Sequence, residues 1–200
     1  MRRINEIFYS LQGEGHHTGY PSVFIRFSGC NLQCPFCDTR HNEGVEMSDT
    51  DIIHAIKLYK TDWVVLTGGE PSLWIDSDFL RLIHQTTGKK IAIETNGTNP
   101  LPEGIDWITV SPKTGIDEMV GNPAIKVQRA DEIKVVDVGQ CLDDYFSLPC
   151  RDENTLMYLQ PCYVADRKTR ESNTLRTVRR VLEDPRWTLS LQTHRYLGIP

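Results

Sequence analysis

Three cysteines in one short segment are the residues of this sequence whose types and spacing most directly suggest chemistry. Cys30, Cys34 and Cys37 lie in GCNLQCPFC, whereas the other three of the six cysteines are scattered. The N-terminus of this 200-residue chain shows no apolar signal-peptide segment. We therefore expect a cytoplasmic protein whose clustered thiolates serve a metal or catalysis rather than a disulfide framework.

Which metal the three cysteines bind depends on the fourth ligand. Structural zinc takes four protein ligands, and His41 lies four residues after Cys37, so a Cys3His zinc site is one interpretation. An iron–sulfur cubane held by three cysteines leaves one iron open to a cofactor. The spacing, with Phe36 just before the last cysteine, favours the iron–sulfur cluster, and zinc stays an alternative.

Alternating strands and helices are predicted to position these cysteines. The predicted strands are 4–10, 22–28, 62–67, 90–95, 106–111, 132–136, 156–160 and 187–192. One predicted helix begins near Ser48 or Asp49 and carries Ile52, Ile53, Ile56 and Tyr59 on one face, a second ends at Gly88, and a third places Leu175, Val178 and Leu182 at helical spacing before Pro185. Strands that alternate with such helices indicate βα units around a parallel sheet, which the runs alone leave as either an open sheet or a partial barrel.

Unusual residues follow five of the predicted strands. The five segments are SGC, TGGEP, ETNG, SPK and QPCY. Because the carboxyl ends of parallel strands meet at one edge of a sheet, these loops are predicted to converge on one site. The stretches 97–104 and 112–124 are interpreted as loops of that site.

Each loop also has a less specific interpretation. Gly68 and Gly69 allow a ligand to approach the backbone, although a glycine pair alone more often marks a tight turn. Glu94 is placed to bond ribose hydroxyls, or is a polar strand end before an Asn-Gly turn. Ser111 and Lys113 offer a hydroxyl and a cation to a carboxylate-bearing ligand, or form a surface turn.

Two further features concern a substrate. Glu14 in LQGEG is able to accept N–H groups of a ring, and Gln12 offers both a donor and an acceptor. Arg26 interrupts the apolar run FIRFS, which predicts either a structural ion pair or a guanidinium that binds an anionic substrate.

Composition excludes several other classes. The formal net charge of −5 argues against a general nucleic-acid binder, and no apolar run reaches the roughly 20 residues that span a membrane. The basic stretch from Arg167 to Arg180 is interpreted as a solvated helix face.

The cysteine segment resembles the CxxxCxφC signature of the radical S-adenosylmethionine (SAM) superfamily. Together with LQGEG, FIRFSGCNLQCPFCDT, VLTGGEP, IETNGT, VSPK, LQP and the terminal GIP, it is similar to the 7-carboxy-7-deazaguanine synthase family, from Ile7 to Pro200. LQGEG before the cysteines and CDT after them distinguish this family from the superfamily at large.

The resemblance implies one radical SAM domain over 1–200, folded as a shortened (partial) βα TIM-like barrel of the α/β class. It implies a carbon–nitrogen lyase of queuosine and 7-deazapurine biosynthesis that converts 6-carboxy-5,6,7,8-tetrahydropterin to 7-carboxy-7-deazaguanine with loss of ammonia. A 5′-deoxyadenosyl radical would abstract the C6 hydrogen. The implied cofactors are a [4Fe–4S] cluster, SAM and Mg²⁺, and the implied partners are a flavodoxin- or ferredoxin-type electron donor and a second copy in a homodimer, with no nucleic acid or membrane.

The resemblance also assigns residues. The cluster would be held by Cys30, Cys34 and Cys37, with Thr39 on Mg²⁺. The residues that it assigns to SAM are Phe36, Cys37, Asp38, Gly68, Gly69, Ser111, Pro112, Lys113, Gln160, Pro161, Cys162 and Tyr163. Glu94 is added to them as the ribose-binding candidate of the ETNG segment. The residues assigned to the pterin are Leu11, Gln12, Gly13, Glu14, Arg26, Thr67 and the terminal carboxylate of Pro200.

The sequence departs from the family pattern at three places, and two other functions compete. The compact spacing from Cys30 to Cys34 predicts no inserted helix there, RHNEG replaces the aromatic expected after CDT, and Cys162 stands where a larger apolar residue is expected. A glycyl-radical-enzyme activase is the nearest alternative, although it would not need LQGEG or Arg26. A structural zinc module on the three cysteines and His41 is the other.

Overall fold

One mixed sheet organises the protein. The computed structural model describes residues 1–39, 41–116 and 120–200, in which nine strands pair in the order β3-β1-β2-β4-β5-β6-β7-β8-β9. The strands are β1 (Arg2–Leu11), β2 (Pro21–Phe27), β3 (Val45–Met47), β4 (Trp63–Gly68), β5 (Lys90–Thr95), β6 (Trp107–Val110), β7 (Glu132–Asp137), β8 (Leu156–Pro161) and β9 (Thr188–Leu189). The helices are α1 (Asp49–Lys57), α2 (Ser77–Thr87), α3 (Arg167–Glu183) and α4 (Thr193–Leu197), with 3₁₀ turns at Pro71–Leu73 and Asp143–Ser147.

The strand directions confirm the predicted parallel βα organisation. Neighbouring strands are parallel from β2 through β9, whereas β1 pairs antiparallel with both β2 and β3. The sheet is left unclosed between its edge strands β3 and β9. This is the partial barrel that the family resemblance implies.

Local sequence explains the first two helices. Ser48 caps α1 and forms a capping box with Asp51, while Ile52, Ile53 and Ile56 enter the main apolar core as predicted. Gly88 ends α2 in the left-handed conformation at φ 68°, which glycine adopts without a steric penalty.

The third helix packs through polar residues instead of its leucines. Leu175 and Leu182 are 59% and 78% exposed, while Thr177 is buried and donates to Asp137 Oδ2 at 2.8 Å. Arg180 also binds the carboxylate of Asp137, which lies fully buried at the end of β7. The prediction of a solvated basic face is therefore wrong for Arg180, because the buried carboxylate requires partners from this helix.

The opposite face of the sheet carries a second apolar cluster. Phe24, Val65 and Ala92 form it, and Phe8 and Trp107 pack against it. Alternate residues of the same strands, such as Val23 and Ile25, belong to the main core on the other face. Among the described helices, none is long and apolar enough to cross a membrane.

Candidate active site

One cavity of about 440 Å³ unites the five loops predicted at the strand ends, whereas no residue of the stretch 97–104 lines it. The cysteine segment, TGGEP, ETNG, SPK and QPCY all contribute to its wall, as does the segment that follows β1. Of the residues assigned from the sequence, only Pro112 does not line the cavity. The convergence of the loops is confirmed, while the ligand that each residue binds stays a prediction.

The three clustered cysteines line this cavity as free thiols. Cys30 and Cys34 are half-buried and Cys37 is exposed. Burial raises the pKa of the Cys30 and Cys34 thiols, so thiolates there require a nearby cation such as iron. In the described part of the chain, no three His, Cys, Asp or Glu side chains converge on a single metal ion, as zinc would need. A cubane binds each thiolate to a different iron, and the residues present fit it.

The glycine pair brings the TGGEP loop against the cysteine loop. A Cβ on Gly69 would lie 2.0 Å from the carbonyl oxygen of Gly29, and Gly68 has a φ of +124°. The Gly69 N–H donates to Phe27 O at 3.0 Å, and the Glu70 N–H donates to Gly29 O at 2.9 Å. The structure therefore gives the pair a packing reason in addition to the predicted ligand contact.

A buried polar network fixes three of the loops relative to one another. The carboxylate of Glu70 accepts from Thr95 Oγ1 at 2.6 Å and from the Asn96 N–H at 2.7 Å. Asn96 Nδ2 donates at 3.0 Å to Asn31 Oδ1, inside the cysteine segment. Sequence reasoning did not assign Glu70 or Asn31, since neither residue type is distinctive without its partners.

Lys113 brings a buried cation to the cluster side of the cavity. Its Nζ donates to the backbone oxygen and to the hydroxyl of Ser111, both at 2.7 Å. Burial lowers the pKa of Lys113, while the nearby Cys34 opposes this effect. The SPK segment is thus part of the site wall rather than a plain surface turn.

Arg26 forms the structural ion pair that was one interpretation of it, while its binding of an anionic substrate stays a prediction. Its Nε donates to Glu6 Oε1 at 2.7 Å, and its guanidinium lies 5.3 Å from the ring of Phe8, which is stacked on Phe24. The side chain nevertheless lines the cavity and is 25% exposed. An anionic group of a ligand would therefore meet Arg26 without displacing its partner.

Glu14 and Glu94 lie together, on the side of the cavity formed by LQGEG. Gln12 Nε2 donates to Glu94 Oε1 at 3.0 Å, and Lys134 Nζ binds both carboxylates. Glu94 thus neighbours residues assigned to the pterin, although the sequence prediction assigned it to SAM. Lys134 itself was missed, but it interrupts the buried strand EIKVV as Arg26 interrupts FIRFS, and that signal was available.

The C-terminal segment covers one side of the cavity. Gln192 donates to Glu14 Oε1 at 2.8 Å and to Asp38 Oδ2 at 3.3 Å, and Arg195 forms an ion pair with Asp38. The Pro200 oxygen accepts from Ser10 Oγ at 2.7 Å. Only Pro200 was assigned from the sequence, because the short α4 has no apolar periodicity that would mark the others.

Two departures from the family pattern have structural counterparts. No helix lies between Cys30 and Cys34, as the compact spacing predicts. Cys162 is buried, and its carbonyl accepts from Asn173 Nδ2 at 2.9 Å. Parts of two predicted loops, Arg40 in RHNEG and residues 117–119 in 112–124, lie outside the described residues.

Comparison with known proteins places this site in a family. The Radical SAM superfamily matches residues 24–137. The chain is 51% identical to a 7-carboxy-7-deazaguanine synthase of Bacteroides thetaiotaomicron, over 100% of this chain and 99% of that protein. It is 41% identical to one of Nitratidesulfovibrio vulgaris, over 99% of each. The crystal structure of QueE from Escherichia coli superimposes with a TM-score of 0.75 at 29% identity, covering 95% of this chain and 93% of that one.

These similarities run through the whole length, including LQGEG before the cysteines and the C-terminal segment that covers the cavity. Neither the glycyl-radical-enzyme activase nor the zinc module accounts for that extent. The chain belongs to the radical SAM superfamily and, within it, to the 7-carboxy-7-deazaguanine synthase family.

Proposed function

We propose that this protein converts 6-carboxy-5,6,7,8-tetrahydropterin to 7-carboxy-7-deazaguanine with loss of ammonia, as a radical SAM carbon–nitrogen lyase. The observation that carries the proposal is the joining, in one cavity, of the three cysteines with Gln12, Glu14 and Arg26. A radical SAM enzyme with another substrate would need the three cysteines but not Gln12, Glu14 and Arg26. The full-length identity to proteins that bear the synthase name supports the same conclusion.

The chain's own residues would divide the cavity between cofactor and substrate. Cys30, Cys34 and Cys37 would hold the cluster, and Lys113 would meet the carboxylate of SAM beside it. When bound, the cluster and SAM together supply the radical that takes hydrogen from C6 of the pterin. The protein's task is to position the reacting atoms and exclude water, since the cofactors carry the difficult chemistry.

The substrate end would recognise both the carboxylate and the N–H groups of the pterin. Arg26 offers a guanidinium fork to the C6 carboxylate, and Glu14 offers acceptors to ring N–H groups. Phe8 and Phe24, stacked with centroids 4.9 Å apart, supply an apolar floor. Together these groups would fix the ring so that only one hydrogen faces the radical.

Mg²⁺ would lie between the cysteines and the substrate carboxylate. The hydroxyl of Thr39 and the carboxylate of Asp38, with Oγ1 and Oδ1 3.5 Å apart, are the oxygen donors that line the cavity near the cysteines. Mg²⁺ prefers oxygen ligands and keeps several waters, so one or two protein donors with the substrate carboxylate would suffice. A flavodoxin- or ferredoxin-type donor would supply electrons, and the working form would be a homodimer.

Anaerobic turnover tests the proposal. The protein is reconstituted with iron and sulfide, its iron and zinc contents are measured, and it is incubated with SAM, a reductant, Mg²⁺ and the carboxypterin. We expect deazaguanine and ammonia in equal amounts, with none from Cys37→Ser and normal amounts from Cys141→Ser, an exposed cysteine outside the cavity. Iron-loaded protein that cleaves SAM without forming deazaguanine would refute the substrate, and colourless zinc protein would refute the radical chemistry.

Omitting Mg²⁺ from the same assay tests the metal. We expect product formation to fall while iron content stays unchanged, because the metal would act on the substrate rather than on the cluster. Equal turnover in the presence of a chelator would remove Thr39 from the metal ligands.

A further inference from the structure

A buried ammonium group lies inside the cavity without an assigned role. Lys134 lies on β7, its side chain is only 5% exposed, and it contributes to the cavity wall. Its Nζ forms an ion pair with Glu14 Oε2 and lies 3.3 Å from Glu94 Oε1. A buried charge is unfavourable unless it is paired, so the position of this lysine is explained by the two carboxylates.

The surroundings of Lys134 come from four parts of the chain. Glu132 lies two residues before it on the same strand, but its oxygens accept from the His16 N–H at 2.9 Å and from Thr109 Oγ1 at 3.0 Å. His194 on α4 and Lys113 after β6 are the other titratable groups near the pair. Glu132 is thus occupied by the protein itself, which leaves Glu14 and Glu94 as the carboxylates that face a ligand.

The carboxylates of Glu14 and Glu94 differ in how many further hydrogen bonds they are able to accept. Both oxygens of Glu14 are bonded, Oε1 by Gln192 at 2.8 Å and Oε2 by Lys134. Glu94 Oε1 accepts from Gln12 at 3.0 Å, while within the described residues Glu94 Oε2 has no hydrogen-bond donor. Each carboxylate oxygen has two lone pairs, so Glu14 retains accepting capacity and Glu94 retains a whole oxygen.

The ionisation of these groups follows from the same geometry. Burial raises the pKa of Glu14, but the charge and hydrogen bond of Lys134, with Gln192 and His194, outweigh it and lower that pKa to about 2. Burial lowers the pKa of Lys134, and the three carboxylates outweigh it in turn. Without the ammonium, burial and the mutual repulsion of the two carboxylates would favour protonation of one of them. The O–H of that carboxyl would then face an N–H of the ligand, and two donors do not form a hydrogen bond.

We propose that Lys134 is a positioning residue for substrate recognition, which holds Glu14 and Glu94 as an ionised pair of acceptors for a ring edge rich in N–H donors. This inference rests on the proposed function and names the part of the substrate that the pair would read, the guanidine-like edge of the pterin. A carboxylate that accepts two N–H groups from such an edge gives both energy and orientation. Lys134 would act through the two carboxylates, without touching the ring.

Binding measured against pH tests the proposal. The variants are Lys134→Met, Lys134→Gln, in case the first does not fold, and Lys134→Arg, which keeps the charge. The matched control is Lys89→Met, because Lys89 is also buried, at 7% exposure, but its Nζ donates to backbone oxygens outside the cavity, including Tyr59 O at 2.9 Å. The affinity of each cluster-loaded variant for the carboxypterin is compared with that of the unchanged protein at each pH, which cancels titration of the pterin.

We expect the unchanged protein, Lys89→Met and Lys134→Arg to share one pH profile. In Lys134→Met and Lys134→Gln, affinity relative to the unchanged protein should fall about tenfold per pH unit below the raised carboxyl pKa, and it should recover as the pH rises. Iron content and SAM cleavage without the pterin should not change. A profile identical to that of the unchanged protein, or an equal loss of affinity at every pH, would overturn the proposal.

Infrared spectroscopy separates this inference from the proposed function. Without any ligand, Lys134→Met or Lys134→Gln should show the C=O stretch of a protonated carboxyl at neutral pH, lost in the additional Glu14→Gln or Glu94→Gln change and absent from Lys89→Met. If the unchanged protein does not bind the carboxypterin, the proposed function fails while this band still tests Lys134. If the pterin binds and no such band forms in either neutral variant, the role of Lys134 fails while the proposed function stands.

Discussion

At the residue scale, Arg26 is the cation whose loss should separate substrate binding from cofactor chemistry. Its guanidinium is held by Glu6 and lines the cavity, on the strand β2 that also bears Phe24. Because the ion pair with Glu6 already fixes the side chain, Arg26 would lose little further conformational entropy on binding a carboxylate. We therefore propose that Arg26 binds the substrate and does not support the cluster.

Replacing this arginine gives the first prediction. Arg26→Ala should weaken carboxypterin binding by about tenfold to a hundredfold, because hydrogen bonds to charged groups contribute about 1.5–3 kcal/mol. Iron content and uncoupled SAM cleavage should be retained. Arg129→Ala, which breaks the ion pair with Asp131 outside the cavity, is the matched control and should bind normally in the same titration calorimetry. Unchanged affinity in Arg26→Ala would remove this residue from the substrate contacts.

At the element scale, the close approach of two loops should limit what the glycine pair tolerates. Gly69 has no left-handed φ, so Gly69→Ala would be acceptable to the local backbone. It is opposed mainly by the Gly29 carbonyl oxygen, 2.0 Å from the new Cβ, and also by His41 Cβ at 3.1 Å. We expect the cysteine loop to be displaced and cluster retention to fall, measured as iron per chain after desalting and as visible absorbance.

Gly88→Ala is the control for this glycine. It introduces a left-handed alanine at φ 68° at the end of α2, with nothing within 4 Å of the added Cβ. It should lower the free energy of unfolding by about 1–2 kcal/mol and leave the iron content unchanged. If Gly69→Ala retains its full complement of iron, the packing of the two loops is not what requires glycine.

The attachment of α3 is the other prediction at this scale. Burial raises the pKa of Asp137, but bonds from Thr177 and Gly139 and the charges of Arg180 and Arg176 outweigh it and hold that pKa below its usual 3.8. The stabilisation is therefore present above this value and is lost as the pH falls through the lower native pKa. Asp137→Asn should lower the free energy of unfolding at neutral pH by about 1.5–3 kcal/mol and flatten its decline in acid.

Urea denaturation at several pH values measures both effects. Leu182→Ala on the same helix is the control and should change the free energy of unfolding by less than about 0.5 kcal/mol, since Leu182 is mostly exposed. A larger effect from Leu182 than from Asp137 would show that apolar contacts attach α3 after all.

These elements also show how far sequence reasoning reached. Strands β2 and β4 to β8 were predictable because buried parallel strands are continuous apolar runs, and α1 and α2 because their caps and apolar faces agree. The antiparallel β1 was also predicted, whereas the predicted strand 187–192 is reduced to the two-residue β9. The three-residue β3 and five-residue α4 have too few residues for periodicity to mark them. The orientation of α3 depends on Asp137, about 40 residues earlier, so no local pattern could reveal it. Gln192 was likewise invisible until the fold brought it to Glu14, whereas Lys134 could have been noticed as the charged residue in the apolar run EIKVV.

At the scale of the whole molecule, the unclosed sheet leaves the cavity in need of a cover. The segment after β9 supplies it by bridging to β1 and the loop that follows, with the Thr193 N–H donating to Gly13 O at 2.9 Å and Ser10 Oγ donating to Pro200 O at 2.7 Å. Gly13 has no side chain where His194 packs, and a Cβ there would lie 2.1 Å from His194 Nδ1. The C-terminal segment after β9, rather than further strands, thus closes the barrel around the site.

This arrangement predicts that one truncation will greatly weaken substrate binding while leaving the fold largely intact. None of residues 191–200 is buried, yet Gln192, His194, Arg195 and Pro200 all line the cavity. Removing residues 193–200 should therefore shift the melting temperature by only a few degrees, since little buried surface is lost. Carboxypterin binding should fall by at least about a hundredfold, because the proposed contact of Pro200 is lost together with the part of the cavity wall that His194 and Arg195 form. Scanning calorimetry and binding titration on the same cluster-loaded preparation measure the two effects, with the full-length Arg195→Ala variant expected to show a smaller loss of affinity. A truncated protein that melts far lower would assign the segment to the fold, and one that binds normally would show that it does not form the site.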